Sequence, residues 1–305
     1  MKTNLIYLLF VIVLFSCKVA DKKKSVSIQT IVCTTGMLGD AVEQIVGPTV
    51  KVIALMGPGV DPHLYKATQG DLKSLTNADV IVYNGLHLEG KMGEIFEKLE
   101  KQKHIIVATG GLTQNEYINN SEFQGAYDPH IWFDVALWSK AVQHIGNELA
   151  QLSTDSIGTV FKENTKTYTS ILQQLNASVQ QEVNKLDSSS RILITAHDAF
   201  GYFGRAYGFE VRGLQGISTT SEYGLKDVSD LVTYIVENEI KAVFVESSVS
   251  RKSLQAVVDG CVEKGHQVKI GGQLYSDAMG EKSSAEGSYV GMVKHNVTTV
   301  VEGLR

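Results

Sequence analysis

Three observations predict an α/β fold of two lobes, each a parallel sheet wrapped by helices, joined by one long rigid helix. Short β-rich runs alternate with helical periodicity along the chain, the pattern of parallel sheets covered by helices. The alternation restarts past the midpoint with the same element order, although no sequence repeat accompanies it. Between the halves, Ile157, Phe161, Tyr168, Leu172, Leu175, Val179, Val183 and Leu186 recur at spacings of three, four or seven, and residues 160–186 hold no glycine or proline. About thirty helical residues at 1.5 Å each span roughly 45 Å, enough to run along both lobes. A continuous helix resists the backbone changes that a loop hinge absorbs, so the joint is stiff.

In the first half, a strand is expected over 27–33 and a helix over 37–45. A second strand over 51–55 is broken by Gly57-Pro58-Gly59, and a helix follows over 68–77. Then come a strand over 79–83, a helix over 90–101 and a strand over 104–107. Residues 113–126 are polar and aperiodic and read as a loop, and 135–152 as a helix. The second half offers strands over 191–195, 210–214, 242–246 and 267–270, with helices over 199–207, 226–238, 253–264 and 288–304.

Ahead of these elements lies a targeting signal. Lys2 is followed by the apolar run Leu5 to Phe15, too short to span a bilayer as a helix. The run ends in Leu14-Phe15-Ser16-Cys17, where cleavage and lipidation of Cys17 would leave an extracytoplasmic domain on a membrane tether. The expected organisation is a signal peptide over 1–16, a tether over 17–26, an N-terminal lobe over 27–156, the connecting helix over 157–187 and a C-terminal lobe over 188–305. Loss of Lys2 with the signal takes the formal charge from −5 to −6, an acidity that argues against nucleic acid as partner. Cys33 falls in a strand and Cys261 in a helix, and they read as two buried free thiols.

The chain has 4 prolines, and two of them sit in Asp61-Pro62-His63 and Asp128-Pro129-His130. Proline fixes its own φ and keeps the residue before it extended, so each copy is a rigid loop that aims one imidazole. His197 follows the strand over 191–195, and ligands of open α/β sheets bind beyond the carboxyl ends of strands. Of the other five histidines, His87 after the third strand is the best placed, while His104, His144, His266 and His295 carry weaker claims. A fourth ligand belongs in the second half. Asp277, in a glycine-rich loop after a strand, and Glu246, at a strand end, both qualify, and the residues alone favour neither.

Three imidazoles and a carboxylate suit tetrahedral zinc, or manganese if the carboxylate binds through both oxygens. Asp61, Asp128 and Asp198 are natural acceptors for the outer N–H of the histidines beside them, and Glu246 is a further candidate for that outer role. A secreted zinc-dependent hydrolase, with Asp198 or Glu246 as general base, is the alternative use of such a site. Four protein ligands would fill a tetrahedron, and the chain contains no His-Glu-x-x-His helix.

Seven segments, in order along nearly the whole mature chain, resemble the metal-binding lipoproteins that act as receptors for zinc and manganese ABC importers. They are Thr35-Gly36-Met37-Leu38-Gly39-Asp40, Met56-Gly57-Pro58-Gly59-Val60-Asp61-Pro62-His63-Leu64-Tyr65, Tyr83-Asn84-Gly85-Leu86-His87-Leu88-Glu89, Asp128-Pro129-His130-Ile131-Trp132-Phe133-Asp134, Thr195-Ala196-His197-Asp198-Ala199-Phe200-Gly201-Tyr202-Phe203, Gly213-Leu214-Gln215-Gly216-Ile217-Ser218 and Ser276-Asp277-Ala278-Met279. The resemblance implies a metal in the interlobe cleft and the ligand set His63, His130, His197 and Asp277, leaving Glu246 outside it. It implies a monomeric receptor, not an enzyme, that hands one zinc or manganese ion to a membrane permease. The absence of a phosphate-loop motif agrees with a separate ATPase. Zinc-specific relatives often carry a histidine-rich loop, whereas residues 113–126 hold no histidine; manganese-type relatives often place glutamate where this chain has His197. The sequence resembles most the treponemal-type receptors with mixed zinc and manganese binding. The glycines around Asp277 suggest that its loop moves most on release.

Overall fold

The computed structural model describes residues 27–119 and 125–305, so the signal over 1–16, the tether over 17–26 and Cys17 lie outside the described residues. The N-terminal lobe runs β1 (Thr30–Cys33), α1 (Gly36–Val46), β2 (Lys51–Ala54), α2 (Gln69–Asn77), β3 (Val80–Tyr83), α3 (Gly93–Leu99) and β4 (His104–Val107). Two long helices follow, α4 (Val135–Leu152) and α5 (Asp155–Val183). The C-terminal lobe runs β5 (Ile192–His197), α6 (Gly201–Tyr207), β6 (Glu210–Gln215), α7 (Leu225–Glu237), β7 (Ala242–Glu246), α8 (Arg251–Glu263), β8 (Lys269–Leu274) and α9 (Tyr289–Leu304). All strand pairs are parallel, in the orders β2-β1-β3-β4 and β6-β5-β7-β8. Each order reverses direction beside its first strand, which opens a crevice at the carboxyl ends of β1 and β3 in one lobe and of β5 and β7 in the other.

Helix starts follow their local chemistry. Thr68 and Asp71 form a capping box on α2, in which Thr68 Oγ1 accepts from Asp71 N at 3.2 Å and Asp71 Oδ2 accepts from Thr68 N at 2.7 Å. Asp134 caps α4 by accepting from Leu137 N at 3.0 Å, and Ser288 caps α9 by accepting from Gly291 N at 3.1 Å. The spine α5 spans 29 residues, or about 44 Å, starting two residues before and stopping four before the expected bounds. Within 113–126, Thr113 and Glu116 close a short turn over Gln114–Glu116, and Asn119 bridges to Tyr127.

Two strands run further than the sequence suggests. His197 is the last residue of β5, paired with Gln215, rather than a residue beyond the strand. β8 continues through Gly271 and Gly272 to Leu274, although glycine usually weakens a strand. A Cβ on Gly271 would lie 2.8 Å from the Phe244 ring, and one on Gly272 would lie 2.3 Å from Thr299 on α9. These glycines therefore admit a buried ring and a helix against the sheet, at a register shift between β7 and β8. They are packing positions, where no Cβ fits.

The lobes share one hydrophobic core. It joins Val42 and Ile45 of α1, Trp138 and Ile145 of α4, and Phe161 and Leu172 of α5 to Tyr202, Tyr289 and Val301 of the C-terminal lobe. Separate clusters cover the outer sheet faces, around Leu75, Ile81 and Phe96 in one lobe and Val232, Val243 and Leu254 in the other. Cys33 and Cys261 are buried free thiols in different clusters. Among the described residues no helix is long and apolar enough to cross a membrane.

The two long helices meet through glycine. A Cβ at Gly158 of α5 would sit 2.6 Å from the carbonyl oxygen of Ala150 in α4, a backbone atom that cannot swing aside. Gly158→Ala is expected to cost about 1–3 kcal/mol through this overlap and to lower the thermal midpoint. Gly93→Ala, where nothing lies within 4 Å, should leave the midpoint unchanged, with melting followed by circular dichroism.

Candidate metal centre

The two Asp-Pro-His copies fold alike. Asp61 Oδ1 accepts from the His63 backbone N–H at 2.8 Å, and Asp128 Oδ1 accepts from that of His130 at 2.9 Å. These are Asx turns, in which proline contributes no N–H of its own and leaves the carboxylate to the histidine. The first copy lies beyond β2 and the second follows the 113–126 segment. His197 ends β5, and Asp277 stands three residues beyond β8. All four side chains thus come from the carboxyl ends of strands or the connections that leave them.

They converge. One ligand atom from each of His63, His130, His197 and Asp277 lies within 4.8 Å of all the others. His63 Nε2 is 3.2 Å from His130 Nε2, His130 Nε2 is 3.4 Å from Asp277 Oδ1, and His197 Nε2 is 3.3 Å from Asp277 Oδ2. A tetrahedral zinc with bonds of about 2.1 Å sets its ligand atoms roughly 3.4 Å apart. The four residues are at most 3 % exposed. His197 Nε2 and both Asp277 oxygens have no hydrogen-bond partner although they are buried, the condition of atoms whose partner is a cation. No other group of three or more histidines, cysteines and carboxylates among the described residues meets the same condition.

Carboxylates stand behind the rings. Asp128 Oδ1 lies 2.8 Å from His130 Nδ1, so one oxygen holds both the backbone and the ring of that histidine. Glu246 ends β7, beside β5; its Oε1 accepts from His197 N at 2.8 Å and its Oε2 approaches His197 Nδ1 at 2.6 Å. That second contact sets the carboxylate directly against the ring. Two expectations change here. The carboxylate on the His197 ring belongs to Glu246, whereas Asp198 lines a surface groove with Arg212 and Tyr223. Asp61 holds the His63 backbone, and its other oxygen accepts from Thr219 Oγ1 at 2.6 Å. Committed to His197, Glu246 is neither the fourth convergent group nor a free base for hydrolysis.

Charge follows this wiring. Burial opposes protonation of His130, but Asp128 and Asp277 outweigh it and raise its pKa to about 9. Burial likewise opposes charge on His197, and Glu246 with Asp277 carries its pKa well above the usual value. Burial lowers His63 to about 3, against the pull of Asp277. Burial would raise Asp277, yet His197 and His130 hold its carboxyl well below the usual range.

A second motif braces the first. Gly85, Leu86 and His87 take φ values of 89°, 53° and 65°, a left-handed turn that is costly for the two non-glycine residues. Glu89 closes it by accepting from Thr34 Oγ1 at 2.6 Å and from Asn84 N at 2.7 Å. Asn84 Nδ2 then donates to Pro129 O at 3.0 Å, next to His130. His87 itself is exposed, on the rim of a cavity that His63 lines. His104 is exposed, His144 packs against Gly111, and His266 and His295 bond the carbonyls of Ile240 and Gln273. Sequence reasoning missed Thr219, one residue past the Gly213 to Ser218 segment, and Trp132, whose Nε1 donates to Ser276 O at 2.9 Å.

Comparison with known proteins agrees with this arrangement. Residues 31–303 match the family model ZnuA, the periplasmic component A of the zinc-uptake complex. The chain is 50% identical over 288 residues to the manganese-binding lipoprotein MntA of Bacillus subtilis, covering 94% of this chain and 92% of MntA. It is 46% identical over 274 residues to the zinc-binding protein TroA of Treponema pallidum, covering 90% of this chain and 88% of TroA. The solved structure of the periplasmic zinc-binding protein TroA superposes with a TM-score of 0.88 at 45% identity, covering 91% of this chain and 99% of that one. With nearly every described element inside the match, the chain belongs to the ZnuA family of metal-receptor proteins.

Proposed function

We propose that this protein is an extracytoplasmic receptor, not an enzyme, that binds one divalent zinc or manganese ion through His63, His130, His197 and Asp277 and delivers it to the membrane permease of an ABC importer. The observation that carries the reading is the convergence of those four buried side chains, with three Nε2 atoms and both Asp277 oxygens turned toward one another. Nitrogen donors suit zinc, and a carboxylate offering two oxygens also admits manganese. The relatives fit this donor set, since MntA is named for manganese and TroA for zinc. The ion is cargo, and the chain acts as a monomer tethered by lipid on Cys17, with residues 1–16 removed. Asp128 and Glu246 orient two of the rings, and Asp61 holds the loop of the third. The lobes divide at the spine, into 27–156 and 188–305, with 157–187 as the connector.

Calorimetry on chelator-stripped protein is expected to give one tight site per chain. His63→Ala and His197→Ala should each abolish it while the circular dichroism spectrum stays unchanged; wild-type affinity and stoichiometry in both variants would refute the reading. Asp128→Asn and Glu246→Gln should keep the stoichiometry of one and weaken binding by about 10–100-fold, because they disturb orientation rather than remove a donor. Zinc at a hundredfold over its dissociation constant should stabilise the fold by about 2.7 kcal/mol. A chelator should reverse the accompanying rise in thermal midpoint.

A further inference from the structure

The connection from β6 to α7, residues 216–224, reaches the site without supplying any of the four convergent side chains. Gln215, at the end of β6, curls it by donating from Nε2 to Thr219 O at 3.2 Å and Ser221 O at 2.7 Å. Ser221 N donates to Ser218 O at 3.0 Å, which closes the turn. Thr219 stands at the apex, and its hydroxyl crosses from the C-terminal lobe to Asp61 of the N-terminal lobe at 2.6 Å. A bond to a carboxylate at that length is charge-assisted and stronger than a neutral one. The other oxygen of Asp61 holds the His63 backbone.

The same connection walls a cavity of about 310 Å³ between the lobes. Ile217, Ser218 and Thr220 form one side, Leu86 and Tyr127 lie among the others, and His63 is the one convergent side chain that lines it. His63, at 3 % exposed, is also the most accessible of the four. Asp128 and Glu246 hold His130 and His197 at backbone and ring, and Trp132 holds the residue before Asp277. His63 is tied through Asp61, whose second oxygen depends on a partner in the opposite lobe.

We propose that Thr219 is a positioning residue for ion exchange: its hydrogen bond to Asp61 latches residues 216–224 over the cavity through which the ion reaches and leaves His63. The proposal rests on the receptor reading and adds the route and the gate. When the latch opens, the cavity widens and the Asp61-Pro62-His63 turn loses its tie to the far lobe, while the other three side chains keep their supports. Opening speeds capture and release together. Affinity then falls by less than the release rate rises, whereas loss of a ligand lowers affinity mainly through release.

The test uses the full chain loaded with zinc and mixed with excess chelator in a stopped-flow instrument, with calorimetry alongside. Thr219→Val removes the hydroxyl and keeps the shape. It should release zinc about tenfold faster, with a smaller loss of affinity and an unchanged metal-free melting midpoint. Thr219→Ser restores the hydroxyl and should release at close to the wild-type rate. Wild-type release from Thr219→Val overturns the latch and leaves the receptor reading standing. So does a fall in the metal-free midpoint with no change in exchange, which marks a plain structural strut. A wild-type chain that takes up no zinc overturns the receptor reading itself.

Discussion

The fixed relation between the lobes is the constraint on which the site depends. Two of the convergent side chains come from each lobe, so a small shift between lobes would pull apart His130 Nε2 and Asp277 Oδ1, which stand 3.4 Å from one another. The shared core supplies the rigidity. Trp132, Tyr202 and Tyr289 are buried in it, and each also spends a polar atom across the lobe boundary. Trp132 Nε1 bonds Ser276 O, Tyr289 OH bonds Trp132 O at 2.7 Å, and Tyr202 OH bonds Asp128 O at 2.9 Å. Large aromatic side chains give apolar area and a directed hydrogen bond together, so the same residues fill the interface and set its register. All three bonds act on the segment that carries His130, and the first also on the one that carries Asp277.

Inside that frame the site is built from charge against charge. Three carboxylates, Asp277, Asp128 and Glu246, are buried around His130 and His197. Buried carboxylates are costly unless a cation or strong donors face them. Raised pKa values on His130 and His197 mean that protons take that place when they are available. A metal ion binds to deprotonated imidazole, so it competes with those protons for the same Nε2 atoms. The outer carboxylates favour positive charge at the centre from either source, while the ring geometry is set for a single central ion. Selectivity for a metal therefore rests on geometry and donor type rather than on charge.

Much of this was legible in the sequence, and the boundary of legibility is physical. Asp-Pro-His is a local device: proline lacks an N–H, the preceding carboxylate turns to the next one, and two copies announce two aimed imidazoles. The spine and the alternation of strands and helices are periodic and equally local. Which histidine a partner from another strand would serve was not legible. Asp198 follows His197 directly but lies past the end of β5, on a surface groove, and the carboxylate against the ring is that of Glu246. Glu246 ends the neighbouring strand and faces the ring through sheet pairing that no local pattern encodes. The glycines of β8 misled for a related reason, because what they accommodate is Phe244 on one strand and Thr299 on a distant helix.

These supports also explain how a rigid receptor can let go of its cargo. A continuous spine resists wide opening, and a Cβ on Gly271 or Gly272 would meet Phe244 or Thr299. Release must therefore begin where a support is conditional. His130 and His197 are held by carboxylates of their own lobes, and Ser276 is anchored by a buried indole. His63 is held by Asp61, a half-buried carboxylate that shares its second oxygen with the other lobe. Loss of one hydroxyl contact there frees a short connection and a proline-stiffened turn without disturbing the shared core. A site with three fixed donors and one conditional donor keeps its geometry through many cycles, because only the fourth has to be rebuilt each time.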